Sequence, residues 1–206
     1  MRIRLVPLLV ATAVGAGCAG ETEEPPQTFT AADAQRLSVI APSASEWDWP
    51  ERPTSTGVSD PDDEVPETAD DPLIAALNDQ IRNLEELGGA SSKWTDDHKL
   101  AHLNVSAMST ALDAQVGMKA YREFLHAWGD TGGFGVTKDE DVDGLGDEAW
   151  VIWIVGNGNQ VTYQWRNGNL VTEAHVHCYG ICPTDVDGAA RAWADAVEAE
   201  ARSAGD

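Results

Sequence analysis

Residues 144–182 read GLGDEAWVIWIVGNGNQVTYQWRNGNLVTEAHVHCYGIC, which parses as three antiparallel strands joined at two Asn-Gly corners. Asn-Gly between β-rich runs signals a tight hairpin, because a type I′ turn needs positive φ at both central residues. With Asn167-Gly168 as the tip, Trp165 lies opposite Leu170, Tyr163 opposite Thr172 and Val161 opposite Ala174. One face of the hairpin is then largely apolar. The other face carries Thr162, Gln164, Arg166, Glu173, His175 and His177, with Val171 as its apolar member. The preceding run, residues 150–155, joins through Asn157-Gly158 by the same argument, which puts Trp150, Ile152 and Ile154 on the face of Trp165, Tyr163 and Val161. Its reverse, Val151, Trp153 and Val155, is also apolar, so cover is expected on both sides of the sheet.

The chain begins with Arg2 and Arg4 ahead of an apolar run, residues 5–16, too short to span a bilayer but suited to the core of a signal peptide. Cys18 follows Gly15-Ala16-Gly17. The arrangement resembles the lipobox of bacterial lipoproteins, whose cysteine is lipidated and becomes the mature N-terminus. Gly15 stands where such boxes usually carry Leu, so cleavage after Ala13 and free secretion is the alternative. Cysteine arithmetic favours the lipid, since three cysteines in an exported chain leave one over unless Cys18 has another task and Cys178 pairs with Cys182.

The chain carries 35 Asp and Glu against 13 Lys and Arg, a net charge of −22. That charge opposes nucleic acid or anionic lipid as a partner. From residue 19 to about 71 the composition is rich in Pro, Glu, Asp, Ser and Thr, and residues 58–71 hold acidic side chains and no basic one. Such a stretch buries too little apolar surface to offset its conformational entropy, and it reads as an extended spacer. Within it, residues 31–40 can form a short helix after Thr30, and Trp47 and Trp49 precede Pro50. These apolar groups are expected to dock on the folded domain.

Asp71-Pro72 is a helix start, and Ile74, Leu77, Ile81, Leu84 and Leu87 recur at helical spacing up to Gly88-Gly89. Residues 100–108 read as a strand. After Ser109 or Thr110, a stripe of Leu112, Val116, Tyr121, Phe124, Leu125 and Trp128 runs to Gly129. A short strand follows at 135–137. The last helix starts after Pro183, capped by Thr184 or Asp185, with a narrow stripe of Ala190, Trp193, Ala194, Val197 and Ala201. The resulting fold class is α+β: an antiparallel meander covered by helices, an α/β/α sandwich. The expected division is a signal peptide over 1–17, a lipid-anchored acidic linker over 18–70 with a docking segment at 30–50, and an α+β domain over 71–206.

The lipobox-like cysteine, the acidic spacer, GLGDEAW entering a strand, the QWRNGNLV hairpin and the Ala-rich final helix together resemble small actinobacterial cell-envelope lipoproteins, several of which have a PsbP-like α/β/α sandwich. The resemblance covers roughly residues 71–206 and rests on structural turns. It implies a binding, sensing or scaffold module and transfers no catalytic residue.

Three clusters are site-like. His175 and His177 point to one side of a strand about 7 Å apart, a spacing that can chelate zinc with Glu173 extending the row. Against this stands a solvated strand face beside a structural disulfide, Cys178–Cys182, which outside the cell is the favoured state of two thiols. Asp139, Asp141 and Asp143 before Gly144 match the opening of a calcium loop, yet its twelfth position is Trp150 instead of Glu and no helix follows. Residues 129–133, GDTGG, are explained as a helix C-cap and turn. No nucleophile elbow, phosphate loop or H-E-x-x-H occurs.

The functional expectation is a non-catalytic, lipid-anchored module on the extracytoplasmic face of the cell membrane. It would bind, sense or scaffold an envelope component or small apolar ligand, with no cofactor. The alternative is a metal-binding protein or metal-dependent enzyme using His175 and His177. A cavity between sheet and helices would favour small-molecule binding over scaffolding.

Overall fold

The structure, a computed structural model, describes residues 27–42, 47–59, 71–132, 135–156, 158–179 and 185–205. Residues 1–26, which include the expected signal peptide and Cys18, most of the acidic run and Cys182 lie outside the described residues. In chain order the elements are α1 (Ala31–Leu37), β1 (Ser55–Ser59), α2 (Pro72–Arg82), β2 (Glu86–Thr95), β3 (Lys99–Met108), α3 (Ala111–Gly132), β4 (Gly135–Asp141), β5 (Glu148–Gly156), β6 (Gly158–Asn167), β7 (Leu170–Cys178) and α4 (Val186–Gly205). The strands form one seven-stranded antiparallel sheet in the order β1-β2-β3-β7-β6-β5-β4. Helices α1 and α4 pack on one face, and α3 with α2 against it on the other. This is the expected α+β sandwich.

Both hairpins differ from the reading of their corners, with opposite consequences. In β6–β7 the tip is Gly168-Asn169, with Asn167 paired to Leu170 and Trp165 to Thr172. Positive φ occurs at Gly168 alone, as in a type II′ turn. The register moves by two residues, so every side chain keeps its face. In β5–β6 Gly156 pairs with Gly158 and Val155 with Asn159, a shift of one residue. An odd shift inverts the strand. Trp150, Ile152 and Ile154 therefore pack with Met118 and Leu125 of α3, while Ala149 and Val151 join Tyr163 and Trp165 under α4. Trp150 and Trp165 lie on opposite faces, not together beneath one helix.

The α4 stripe is as expected, with Ala190, Trp193, Ala194, Val197 and Ala201 all fully buried. Small residues bring the helix close to the sheet, and Trp193 meets Trp94 of β2 edge-on at 5.4 Å. Asp185 caps the helix by accepting from the Gly188 N–H at 2.7 Å. Glu198 is buried and accepts from Trp165 Nε1 (2.9 Å), Asn167 Nδ2 (2.6 Å), Arg202 Nε (2.6 Å) and Gly146 N (3.1 Å).

The folded unit takes in residues before 71. Thr30 and Asp33 form a capping box that starts α1, which buries Ala34 and Leu37. Phe29 and Trp47 are buried in the same core, and Trp47 stacks on Trp49 at 5.4 Å. Phe29, Ala34, Leu37 and Trp47 thus pack on the core of the sheet, and β1 extends the sheet further.

The helix beginning at Asp71 is shorter than its apolar spacing implies. It ends at Arg82, and the chain turns into β2, so Leu87 is an exposed strand residue. Pairing along the β3 edge outweighs the helical repeat there. In α3, Leu112 is exposed and Met118 is buried instead.

Candidate functional site

Strand β3, KLAHLNVSAM, alternates between buried and half-buried over residues 101–107. Ala101, Leu103, Val105 and Ala107 enter the core under α1 and α4. The intervening His102, Asn104 and Ser106 face α2 and α3, where they join polar side chains of the neighbouring strands. Direct pairing arranges these in two parallel rows across the sheet. The first runs Ser91, Asn104, Glu173, Gln164, Trp150. The second runs Lys93, His102, His175, Thr162, Ile152.

Between this floor and the helices opens a cavity of about 400 Å³. Asn104, Ser106, Gln164 and Glu173 line its base. Asn78 and Ile81 of α2, Leu84, and Tyr121 and Phe124 of α3 form the opposite wall. Gly117 keeps that wall open, for a Cβ there would come within 3.0 Å of Leu84 Cδ1. Tyr121 and Phe124 stack at 6.0 Å.

The polar groups of the cavity are only partly satisfied by the protein. Gln164 and Asn78 are 5% and 6% exposed, yet Gln164 Oε1 and Asn78 Oδ1 have no hydrogen-bond partner. Glu173, 8% exposed, accepts from the Tyr121 hydroxyl. Burial pushes the Glu173 carboxyl up to about 7, and the Tyr121 bond offsets this only in part. Burial also raises Tyr121 well above the ordinary phenol value, and the nearby Glu173 adds to the effect. His102 is brought down to about 4, chiefly by burial and then by the charge of Lys93. His175 falls to about 3 through burial, with His102 and His177 contributing. The floor therefore holds neutral imidazoles beside a carboxyl poised near neutrality.

The two histidines of the expected zinc row are half-buried and engage neighbouring side chains. His175 Nδ1 is 3.0 Å from Thr162 Oγ1, and its ring meets His177 edge-on at 6.1 Å. His177 in turn lies 4.0 Å from the Tyr179 ring. Glu173 turns to Tyr121. Among the described residues, no three His, Cys, Asp or Glu side chains converge as a metal would require.

The calcium pattern is drawn out along a strand. Asp139 and Asp141 sit in β4 and bind Arg122 of α3, Asp139 at 2.6 Å and Asp141 at 2.8 Å. His126 also contacts Asp139, at 2.7 Å. Burial alone would raise Asp139, but the hydrogen bonds and charges of Arg122 and His126 carry it below the usual carboxylate range. Asp143 lies beyond the strand, and its carbonyl accepts from Arg191. Cys178 is buried, and Cys182 lies outside the described residues.

His102, Asn104, Gln164 and Tyr121 carry no motif that marks them as a site. The available signal was a polar strand face in a sheet that also needs cover on that side. A polar row beneath a helix must bind something or satisfy itself.

No protein-family model matches this chain, and no curated protein does. Among solved structures, the extracellular domain of PknH from Mycobacterium tuberculosis is similar, with a TM-score of 0.42 and 14% identity, over 84% of this chain and 98% of that one. Among the described residues, no helix is long and apolar enough to cross a membrane.

Proposed function

We propose that this protein is a non-catalytic binding or sensing module, held outside the cytoplasm by lipid on Cys18, that encloses a small molecule between its sheet and helices α2 and α3. The observation that carries the reading is the cavity of about 400 Å³ with Gln164 and Asn78 buried in its wall and unpartnered. An unsatisfied buried amide costs about 1–3 kcal/mol, and a ligand that pairs it recovers that energy. The size falls in the range of small-molecule sites, and apolar wall with a few convergent polar groups is their usual make-up. The signal-peptide pattern and the acidic stretch before residue 71 support display away from the membrane surface, with Cys178 and Cys182 paired as an exported chain allows.

The test is thermal denaturation of the mature full-length chain against a chemically varied small-molecule library, beside the variant Gly117→Leu. The leucine side chain enters the space next to Leu84 and closes the wall. A ligand at one hundred times its Kd stabilises by about 2.7 kcal/mol, a readily visible shift. Hits that stabilise the natural chain and not Gly117→Leu are expected. Equal stabilisation of both chains places binding elsewhere and defeats the proposal.

A further inference from the structure

Resting on the cavity reading, we infer that the ligand is an organic cation: a primary ammonium on an apolar body, its head beside Glu173 and Gln164 and its body against Tyr121 and Phe124. The first argument is the pairing of the floor. Glu173 is flanked in one row by Asn104 on β3 and Gln164 on β6, so a carboxyl and two amides lie side by side at the base of the cavity. The unpartnered atoms assigned there and at Asn78 are oxygens. They call for a donor, and an ammonium brings three.

The second argument is what the cavity lacks. His102 lines it as a neutral imidazole, and burial likewise keeps neighbouring His175 neutral. Arg82 lines the cavity from the end of α2 together with Glu86 at the start of β2, so the pair adds no net charge. An anionic ligand would meet the carboxyls of Glu173 and Glu86 with one lining cation, Arg82, which already pairs with Asp79 at 4.0 Å. A neutral alcohol would satisfy an amide oxygen without using the carboxylate.

The third argument is the wall. The rings of Tyr121 and Phe124 line the cavity, and Tyr121 is held by stacking on Phe124 and on Trp150 at 6.4 Å, so the wall is a fixed aromatic surface against which an apolar body packs. The net charge of −22 also raises the local concentration of cations over anions.

Isothermal titration of the mature full-length chain with 2-phenylethylamine, 2-phenylethanol and phenylacetate tests this, because the three share a ring and differ in head-group charge. Physiological salt screens attraction to the acidic surface. The amine is expected to bind at least tenfold tighter than the alcohol, with phenylacetate weakest. Glu173→Gln should bring amine and alcohol to within about twofold. Tyr121→Phe removes the phenol that competes for Glu173 and should preserve or widen the amine preference, which a purely steric pocket would not do. Alcohol or phenylacetate binding as tightly as the amine overturns the cation inference and leaves the cavity reading standing. Amine binding unchanged by both Glu173→Gln and Gly117→Leu overturns it too, by placing the amine on the surface. Binding of none of the three overturns the cation inference and leaves the cavity reading to the library screen.

Discussion

Asn169 and Phe29, 140 positions apart, exchange two hydrogen bonds. Phe29 N donates to Asn169 Oδ1 at 2.7 Å, and Asn169 Nδ2 donates to the Phe29 carbonyl at 3.0 Å. The same amide nitrogen reaches the Met108 carbonyl at 2.6 Å. One side chain at a hairpin tip thus ties the N-terminal strap to two strand ends. Asn169→Ala would leave a buried N–H and two buried carbonyls short of a partner, at about 1–3 kcal/mol each before relaxation. The expected loss is about 3 kcal/mol in urea unfolding, with protease cleavage moving first to the segment around Phe29. An unchanged midpoint and cleavage pattern would show that the strap is held by its apolar contacts alone.

Glu198 makes a separate prediction on the α4 face. Its carboxylate collects an indole, an amide, a guanidinium and a backbone N–H, all from residues the fold brings to one point. Glu198→Ala leaves the buried Trp165 and Asn167 donors without an acceptor, while the exposed Arg202 guanidinium turns to water. Removing one partner of such a network costs about 3–5 kcal/mol, so marked destabilisation is expected. Urea unfolding measures it, and the indole N–H resonance of Trp165 should shift, since it loses the bond. Glu198→Leu with the same stability as the natural chain would mean the network only replaces packing.

The layered architecture was readable because it rests on coarse signals: Asp71-Pro72 at a helix start, the small-residue stripe of α4, and a meander apolar on both faces. The inner detail was not, for a physical reason. Asn167-Gly168 and Asn157-Gly158 look alike, yet one hairpin shifts by two residues and the other by one. Parity alone decides which core receives Trp150, and turn chemistry does not set it. β2 was hidden because Leu84 and Leu87 continue a helical spacing that strand pairing overrides. The cavity was hidden because a polar strand face such as Thr162, Gln164, Glu173 and His175 looks the same whether water or α3 covers it.

Glu173 should make stability fall as pH rises. Its folded carboxyl titrates near 7 against 4.5 for the ordinary value, so between those values the folded state holds the proton more tightly than the unfolded chain. The penalty is absent below 4.5 and complete above 7. A shift of that size corresponds to roughly 3 kcal/mol. Glu173→Gln should match the natural chain near pH 4.5 and exceed it by up to that amount at pH 8. Chemical denaturation at the two pH values measures the gap, and a gap independent of pH would mean that Glu173 is not the titrating group.

His102 and His175 oppose that trend and should dominate on the acid side. Both are held below the ordinary value of 6.5, to about 4 and about 3, so the unfolded chain takes up protons that the folded one refuses. Stability from this source is complete above 6.5 and is lost as pH falls toward those folded values. Two imidazoles lose while one carboxyl gains between 6.5 and 4.5, so the net slope is toward instability in acid, with a maximum close to 6.5. His102→Gln keeps a polar side chain at the cavity floor and removes one of the two protons. Its melting temperature should therefore fall less steeply than that of the natural chain between pH 6.5 and 4.5. Glu173→Gln should fall more steeply, because it deletes the opposing term. Parallel melting curves for His102→Gln and the natural chain would assign the acid limb to other groups.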